Sequence, residues 1–183
     1  MATTTEQIAL GTPAPEFKLP GVDGRQWTLR DVAGKRGTVV MFICNHCPYV
    51  QAIVSRIVRD MRDLAALGVS SIAISANDPA AYPEDSFAHM ATFARKHGFT
   101  FPYVYDETQQ VARAYGAVCT PEFCGFDADL RLQYHGRLDA SGREPVPDAR
   151  RELYEAMKQI ASTGVGPAEQ FPSMGCSIKW RDG

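Results

Sequence analysis

The sequence of 183 residues has no apolar run of about 18 residues, so it contains no typical membrane-spanning helix. Its net charge is only −2, which excludes an overall attraction to nucleic acid or anionic lipid. Residues 1–10 lack the basic region and apolar core of a signal peptide, so we expect a cytoplasmic protein without nucleic-acid or membrane partners. Internal repeats are also absent, and the length and 45% apolar composition suit one globular domain over residues 1–183.

Cysteine is scarce, and the five cysteines present are an odd number that does not suit a framework of structural disulfides. In a reducing compartment such residues are more often catalytic or free. Two of them, Cys44 and Cys47, enclose Asn45 and His46 and are followed by Pro48. The apolar run before the pair predicts a buried strand, and the periodic pattern after it predicts an amphipathic helix.

A pair of thiols at a junction between a strand and a helix is chemically activated. The unpaired N–H groups at the start of a helix stabilise a thiolate, and Cys-X-X-Cys motifs there have lowered pKa values. We therefore expect Cys44 and Cys47 to form a reversible disulfide. His46 either adds a positive charge when protonated or is a surface residue without a role. Two other interpretations are an inert buried pair and a structural zinc site, although a second Cys-X-X-Cys pair is missing; we expect no metal or cofactor.

The remaining pattern alternates strands with helices. Two apolar strands joined by a helix predict a right-handed βαβ unit and a parallel sheet. The loop over 77–85 follows the second of these strands and is either a ligand-binding segment or a plain polar turn. The predicted segments are a flexible lead (1–12), an edge strand (13–19), strands over 38–43, 69–75, 123–126 and 130–135, helices over 48–67, 85–97, 106–115 and 148–162, and an irregular tail (163–183).

The order of these segments resembles the thioredoxin fold: strand, Cys-X-X-Cys, helix, strand, helix, then Thr120-Pro121, a hairpin and a final helix. The resemblance covers about residues 13–162. It implies an α/β fold of three layers, with a central mixed sheet, helices on both faces and an N-terminal extension. Within that extension, residues 15–19 and 27–29 resemble the AhpC/TSA and TlpA-like branch. The tail over 175–180 is similar to a bacterial peroxiredoxin-like subgroup.

The resemblance implies thiol–disulfide exchange, with Cys44 as the nucleophile and Cys47 as the resolving thiol. We expect Cys44 to be the more exposed of the two. Pro121 is implied to be a cis-proline that faces the disulfide and helps to dock a substrate chain. His46 resembles the middle histidine of oxidising relatives. The implied substrate is a protein disulfide or a small thiol or peroxide, and a reducing or oxidising protein is the implied partner.

Two alternative functions stay open. The first is a peroxiredoxin-like peroxidase that uses Cys47, although Cys44 then stands where peroxiredoxins have a threonine. The second is a copper-binding protein of the thioredoxin fold, although such proteins usually space their cysteines more widely.

The other cysteines and histidines have weaker indications of function. Cys119 precedes the Thr-Pro turn and is expected near the site, and Cys176 reaches the site if its tail folds back over it. Cys124 is interpreted as structural. The remaining histidines are interpreted as ordinary helix or strand residues: His89, His97 and His135.

Overall fold

The computed structural model describes residues 1–181. The strands are β1 (Ala2–Thr4), β2 (Lys18–Pro20), β3 (Gln26–Thr28), β4 (Gly37–Phe42), β5 (Val69–Ser75), β6 (Tyr103–Tyr105), β7 (Cys119–Thr120), β8 (Glu122–Phe126), β9 (Leu132–Gly136) and β10 (Met174–Ser177). The helices are α1 (Pro48–Ala65), α2 (Phe87–His97), α3 (Gln110–Ala114) and α4 (Glu152–Thr163). Short 3-10 turns lie at Arg30–Val32 and Pro83–Asp85.

The main sheet has the strand order β6-β5-β4-β8-β9. Strands β4, β5 and β6 run parallel, whereas β8 and β9 are antiparallel to their neighbours, so the sheet is mixed. Every residue of β4 is buried. An uninterrupted apolar strand is what a central position between two covered faces requires.

Alternate residues of β4 belong to two separate hydrophobic cores. One core packs the inward faces of α1, α2 and α4 around Val39 and Met41. The other packs α3 and the segment that contains β2 around Val40 and Phe42. Helices therefore cover both faces, and the expected thioredoxin-like fold of three layers is confirmed. No helix within residues 1–181 is long and apolar enough to cross a membrane.

The expectations for the two chain ends are wrong. Residues 1–12 are not simply a flexible lead, because β1 pairs with β10. Residues 163–181 are not simply an irregular tail, because β10 also pairs with the edge of β7 and places Ile178 in the second core at 3% exposure. Such short strands carry no measurable alternation of apolar and polar residues, which is why the sequence did not predict them. Residues 182–183 lie outside the described part of the chain.

Some predicted boundaries also moved. The edge strand predicted over 13–19 is reduced to β2, while Pro13 makes only an isolated bridge to Arg131. Asp106 does not begin α3 directly, although its carboxylate accepts the N–H of Ala112 at 2.8 Å. A polar residue can satisfy the free N–H groups of a helix from several positions before it. The sequence therefore predicts that a helix is present more accurately than it predicts the residue at which the helix begins.

Candidate active site

The predicted cysteine pair lies at the carboxyl end of β4. Cys44 follows the strand closely, Cys47 is the N-cap of α1, and Pro48 is the first residue of the helix. Both cysteines are 0% exposed, so the expectation that Cys44 is the more exposed thiol is wrong. Chain segments that are distant in sequence cover the site. The pattern of residues around the cysteines therefore could not predict their burial.

The peptide bond between Thr120 and Pro121 is cis, as predicted. It follows β7, and both polar atoms of Thr120 turn towards the cysteine pair. The Thr120 hydroxyl oxygen lies 3.4 Å from the sulfur of Cys44, and its carbonyl oxygen lies 3.3 Å from the sulfur of Cys47. Thr120 of the Thr-Pro turn thus contacts the sulfurs of both Cys44 and Cys47.

The pKa values of the two thiols are shifted in opposite directions. The hydrogen bond from Cys44, together with those from Cys176 and the N–H of Val50, lowers the pKa of Cys47 to about 5. The same contact with Cys47, followed by burial and the negative charge of Asp85, raises the pKa of Cys44. The Thr120 carbonyl favours a thiol at Cys47, but four hydrogen bonds lower the pKa, since the Thr120 side chain adds to the three already named. A thiolate at Cys47 is what the start of a helix favours.

His46 is held beside the pair by a buried carboxylate. Its Nδ1 atom lies 2.5 Å from Asp85 and 4.0 Å from the sulfur of Cys44. Asp85 is 0% exposed, whereas the side chain of His46 is 20% exposed. The arrangement places a histidine–carboxylate contact next to Cys44, with a partly exposed imidazole near the sulfur.

Asp85 organises the whole turn between the two cysteines. Its Oδ1 atom accepts the backbone N–H groups of Asn45 at 2.8 Å and His46 at 3.2 Å. Its Oδ2 atom accepts the amide of Asn77 at 2.8 Å. Asn45 also accepts the hydroxyl of Tyr103 at 2.9 Å. These contacts fix the backbone of the Cys-X-X-Cys turn.

Sequence reasoning missed Asp85 and Asn77 as site residues. The signal was present in the position of loop 77–85, which follows β5 at the edge of the sheet where ligands commonly bind. The loop was open to two interpretations, and the structure shows that it supplies contacts to the site. It also supplies Tyr82, whose ring stacks on His46 with centroids 4.4 Å apart. The ammonium group of Lys179 lies 5.4 Å from the same tyrosine ring.

Two further cysteines lie close to the pair. Cys176 on β10 donates its thiol to Cys47, and burial followed by that contact raises the pKa of Cys176 to about 11. Cys119 on β7 is fully buried, and burial followed by the charge of Glu122 raises its pKa. The predicted positions of both cysteines near the pair agree with the structure. Cys124 instead lies in the second core, as expected for a structural residue.

His135 lies on β9, in agreement with its interpretation as a strand residue, and it makes a contact that the sequence did not predict. Its Nε2 atom lies 2.8 Å from Glu122, and both side chains are almost completely buried. The second oxygen of Glu122 accepts the N–H groups of Val118 and Cys119 at 3.0 and 3.3 Å. These contacts hold the chain just before the cis peptide bond. Glu122 and His135 are each a single polar residue in a largely apolar strand, and nothing in the sequence predicts that they pair across the sheet.

One group of possible metal ligands is present within the described residues. The sulfur of Cys44, a ring nitrogen of His46 and a carboxylate oxygen of Asp85 lie within 4.8 Å of one another. Both oxygens of Asp85, however, already accept hydrogen bonds from protein N–H groups. A metal there would have to displace these donors.

The sequence profile of the AhpC/TSA family matches residues 10–135. The chain belongs to the AhpC/TSA family. Among AhpC/TSA-related proteins, Peroxiredoxin Bcp of Escherichia coli K12 is 28% identical over 138 residues, which cover 74% of this chain and 82% of Bcp. Thiol-disulfide oxidoreductase ResA of Geobacillus thermodenitrificans is 31% identical over 118 residues, which cover 62% of this chain and 61% of ResA.

Solved structures place this AhpC/TSA member among similar proteins over its full length. An uncharacterized conserved protein of Geobacillus kaustophilus is 44% identical, with a TM-score of 0.95, and the match covers 100% of this chain and 98% of that one. A hypothetical protein of Sinorhizobium meliloti 1021 is 36% identical, with a TM-score of 0.94 and coverage of 99% and 100%. The thioredoxin domain of a thiol-disulfide oxidoreductase from Bacteroides vulgatus matches at a TM-score of 0.66 with 14% identity, covering 85% of this chain and 99% of that one, and so shares the fold.

Proposed function

We propose that this protein is a thiol–disulfide oxidoreductase in which Cys44 and Cys47 alternate between a dithiol and a disulfide. The observation that carries the proposal is the position of the two sulfurs: Cys47 is the N-cap of α1, and the sulfurs of Cys44 and Cys47 lie 3.4 and 3.3 Å from oxygens of Thr120, the residue before the cis-proline. The contact with Cys44 also lowers the pKa of Cys47 to about 5. Exchange requires a thiolate at neutral pH and a second thiol within reach, and the pair supplies both. The names of Bcp and ResA, a peroxiredoxin and a thiol-disulfide oxidoreductase, support redox chemistry at this site.

The pKa difference supports distinct roles for the two sulfurs. In the oxidised protein, a substrate thiolate attacks Cys44, the bond between Cys44 and Cys47 breaks, and Cys47 leaves as a thiolate. The sulfur of lower pKa leaves faster, which favours Cys47 as the leaving group. A second substrate thiolate then attacks the substrate sulfur bound to Cys44 and releases Cys44. The substrate dithiol becomes a disulfide, and the protein disulfide becomes a dithiol.

The reverse direction assigns the roles expected from the sequence. Cys44 passes its proton to Cys47 and attacks a substrate disulfide, which breaks the substrate S–S bond, expels one substrate thiolate and leaves a mixed disulfide at Cys44. The expelled thiolate takes the proton from Cys47, and the Cys47 thiolate then attacks the Cys44 sulfur, so that the second substrate thiolate leaves and the Cys44–Cys47 disulfide forms. The substrate is a protein disulfide or a small disulfide or thiol, and a reducing or oxidising protein returns the pair to its starting state. The buried site favours substrates that can displace its covering segments.

Peptide mapping tests the redox pair directly. Trypsin cleaves after Arg36 and Arg56, so Cys44 and Cys47 share the peptide 37–56. After mild oxidation with oxidised glutathione and alkylation, we expect this peptide to be two hydrogens lighter and protected from alkylation, and dithiothreitol to reverse both changes. Cys124→Ala is the matched control and should behave as wild type. Full alkylation of both thiols after oxidation would overturn the proposal.

Trapping tests the roles of the two sulfurs. Cys47→Ser lacks the resolving thiol, so we expect it to accumulate mixed disulfides at Cys44. Cys44→Ser should accumulate few. The reverse pattern would contradict the assignment while leaving the redox pair intact.

A peroxidase reaction at Cys47 is the second candidate, favoured by its lowered pKa at the start of α1 and by similarity to Bcp. The thiolate would attack a peroxide oxygen, break the O–O bond and become a sulfenic acid, and Cys44 would then condense with it to form the disulfide and release water. Peroxide consumption that survives Cys44→Ser and is lost in Cys47→Ser identifies this reaction. Peroxide consumption that persists in both variants would refute a peroxidase reaction at Cys47.

A further inference from the structure

Strand β10 presents a cysteine to the buried pair from the opposite side of the site. It lies along the edge of β7, with Cys176 opposite Thr120 in the antiparallel register. Its thiol donates to Cys47, which also accepts the thiol of Cys44. Cys176 also packs against the core cluster that contains Cys44 and Cys47, so Cys47 has two neighbouring cysteines as candidate disulfide partners.

Exposure distinguishes Cys176 from the pair. Cys44 and Cys47 are 0% exposed, whereas Cys176 is only partly buried. Cys176 thus presents more of its surface to solvent than either residue of the pair. Disulfide exchange needs direct access of the attacking thiolate to a sulfur, so access favours Cys176.

We propose that Cys176 is a third redox cysteine, which exchanges with the Cys44–Cys47 disulfide to form a Cys47–Cys176 disulfide and so connects the buried pair to thiols in solution. This inference rests on the proposed function of the pair. It goes further because it assigns the route by which electrons reach the pair.

Each step of this route balances. The thiolate of Cys176 attacks the sulfur of Cys47, the bond between Cys44 and Cys47 breaks, and Cys44 takes the proton that Cys176 lost. An external thiolate then attacks Cys176 and expels Cys47 as a thiolate, which is the favoured leaving group. A second external thiolate attacks the bound external sulfur and frees Cys176. Two external thiols become one disulfide, and the protein gains the dithiol.

The surroundings of Cys176 support its activation at the required moment. In the reduced protein, burial and the neighbouring Cys47 thiolate raise its pKa, whereas Lys179 lowers it. A disulfide at Cys47 removes that negative neighbour and leaves the lysine. Cys176 therefore gains thiolate character when the pair is oxidised.

The other two cysteines do not fit this role. Cys119 is 0% exposed and lies 3.8 Å from the carboxylate of Glu122, which opposes a thiolate. Cys124 lies in the second core, away from the pair. Both share the tryptic peptide 114–131, whereas Cys176 lies in the peptide 159–179, so mapping separates them.

The decisive experiment uses Cys44→Ser in the full chain, which leaves Cys47 without its first partner. After oxidation with oxidised glutathione, we expect a disulfide-linked peptide of 37–56 with 159–179 that dithiothreitol separates. A link between 37–56 and 114–131 alone, or peptide 37–56 without any link to 159–179, would overturn the inference. The proposed function fails in a different way, through the absence of the disulfide within 37–56 of the wild-type protein.

A kinetic comparison gives a second readout. In Cys176→Ser, we expect glutathione to reduce the Cys44–Cys47 disulfide about tenfold more slowly than in wild type, because the accessible sulfur is lost. Cys124→Ala should keep the wild-type rate. An unchanged rate in a folded Cys176→Ser protein would also overturn the inference. If that variant does not fold, Cys176→Ala replaces it, and the mapping experiment remains decisive.

Discussion

The molecule contains two pairs of a histidine with a buried carboxylate, and they differ in what surrounds the imidazole. Asp85 and Glu122 are both 0% exposed and both bind their histidine directly. The side chain of His135 is only 2% exposed, whereas that of His46 is 20% exposed and lies 4.0 Å from the sulfur of Cys44. The same two side-chain types thus form a closed contact in one place and an accessible one in the other.

The buried pair of His135 and Glu122 is held by further hydrogen bonds from the backbone. The N–H of Ile8 donates to Nδ1 of His135 at 3.4 Å, which leaves Nε2 as the donor to Glu122. Glu122 also accepts two backbone N–H groups that precede the cis peptide bond. The difference teaches that burial of both members makes such a pair structural, whereas partial exposure beside a thiol makes it available for chemistry.

The largest expected effect is on stability. His135→Ala leaves the buried Glu122 carboxylate without its partner and should lower the free energy of unfolding by about 3–5 kcal/mol. His46→Ala should cost about 1 kcal/mol or less, because His46 is partly exposed and Asp85 keeps its backbone partners. Urea unfolding of both variants measures the difference. Equal losses of unfolding free energy in the two variants would contradict the distinction between the two histidine–carboxylate pairs.

The second effect is on reactivity. His46→Ala leaves the charge of Asp85 uncompensated beside Cys44, which disfavours a thiolate there. We expect thiol–disulfide exchange to slow by about 10- to 100-fold. His135→Ala, assayed at a temperature at which it stays folded, is the control and should keep the wild-type rate. A similar loss in both variants would assign His46 a purely structural role.

The third effect separates the two carboxylates through the thiols they influence. Asp85 raises the pKa of Cys44, whereas Glu122 raises the pKa of Cys119 and Cys124. Asp85→Asn removes a negative charge, so the pKa of Cys44 should fall. Glu122→Gln should leave that pKa unchanged. The ultraviolet absorbance of the thiolate, followed against pH in the reduced protein, reports both; an unchanged Cys44 titration in Asp85→Asn contradicts the prediction.

The smallest effect concerns the tyrosine that covers the accessible histidine. Tyr82 stacks on His46, and Tyr82→Ala should lower the free energy of unfolding by about 0.5–1 kcal/mol. The loss should disappear in the background of His46→Ala and persist in the background of His135→Ala. Thermal melting of the double variants tests this. Persistence in both backgrounds would mean that the stacking contributes nothing.

Much of the site could be predicted from local sequence signals. The apolar run before Cys44, the proline after Cys47 and the apolar period of α1 define a strand, a junction and a helix without reference to the rest of the chain. The Thr-Pro turn was also predicted, and its cis bond is present. These features depend on residues close in sequence, so they are readable there.

The sequence by itself therefore determined the Cys-X-X-Cys pair, its junction between a strand and a helix, and the family. Only the tertiary structure decided the burial of Cys44, the role of Asp85, the closed pair of His135 with Glu122, and the contact between Cys176 and Cys47. Each of these depends on which distant segment covers a free edge or an unpaired polar group. The edge of β7 binds β10 because its backbone groups need partners, and no local pattern in the tail encodes that choice.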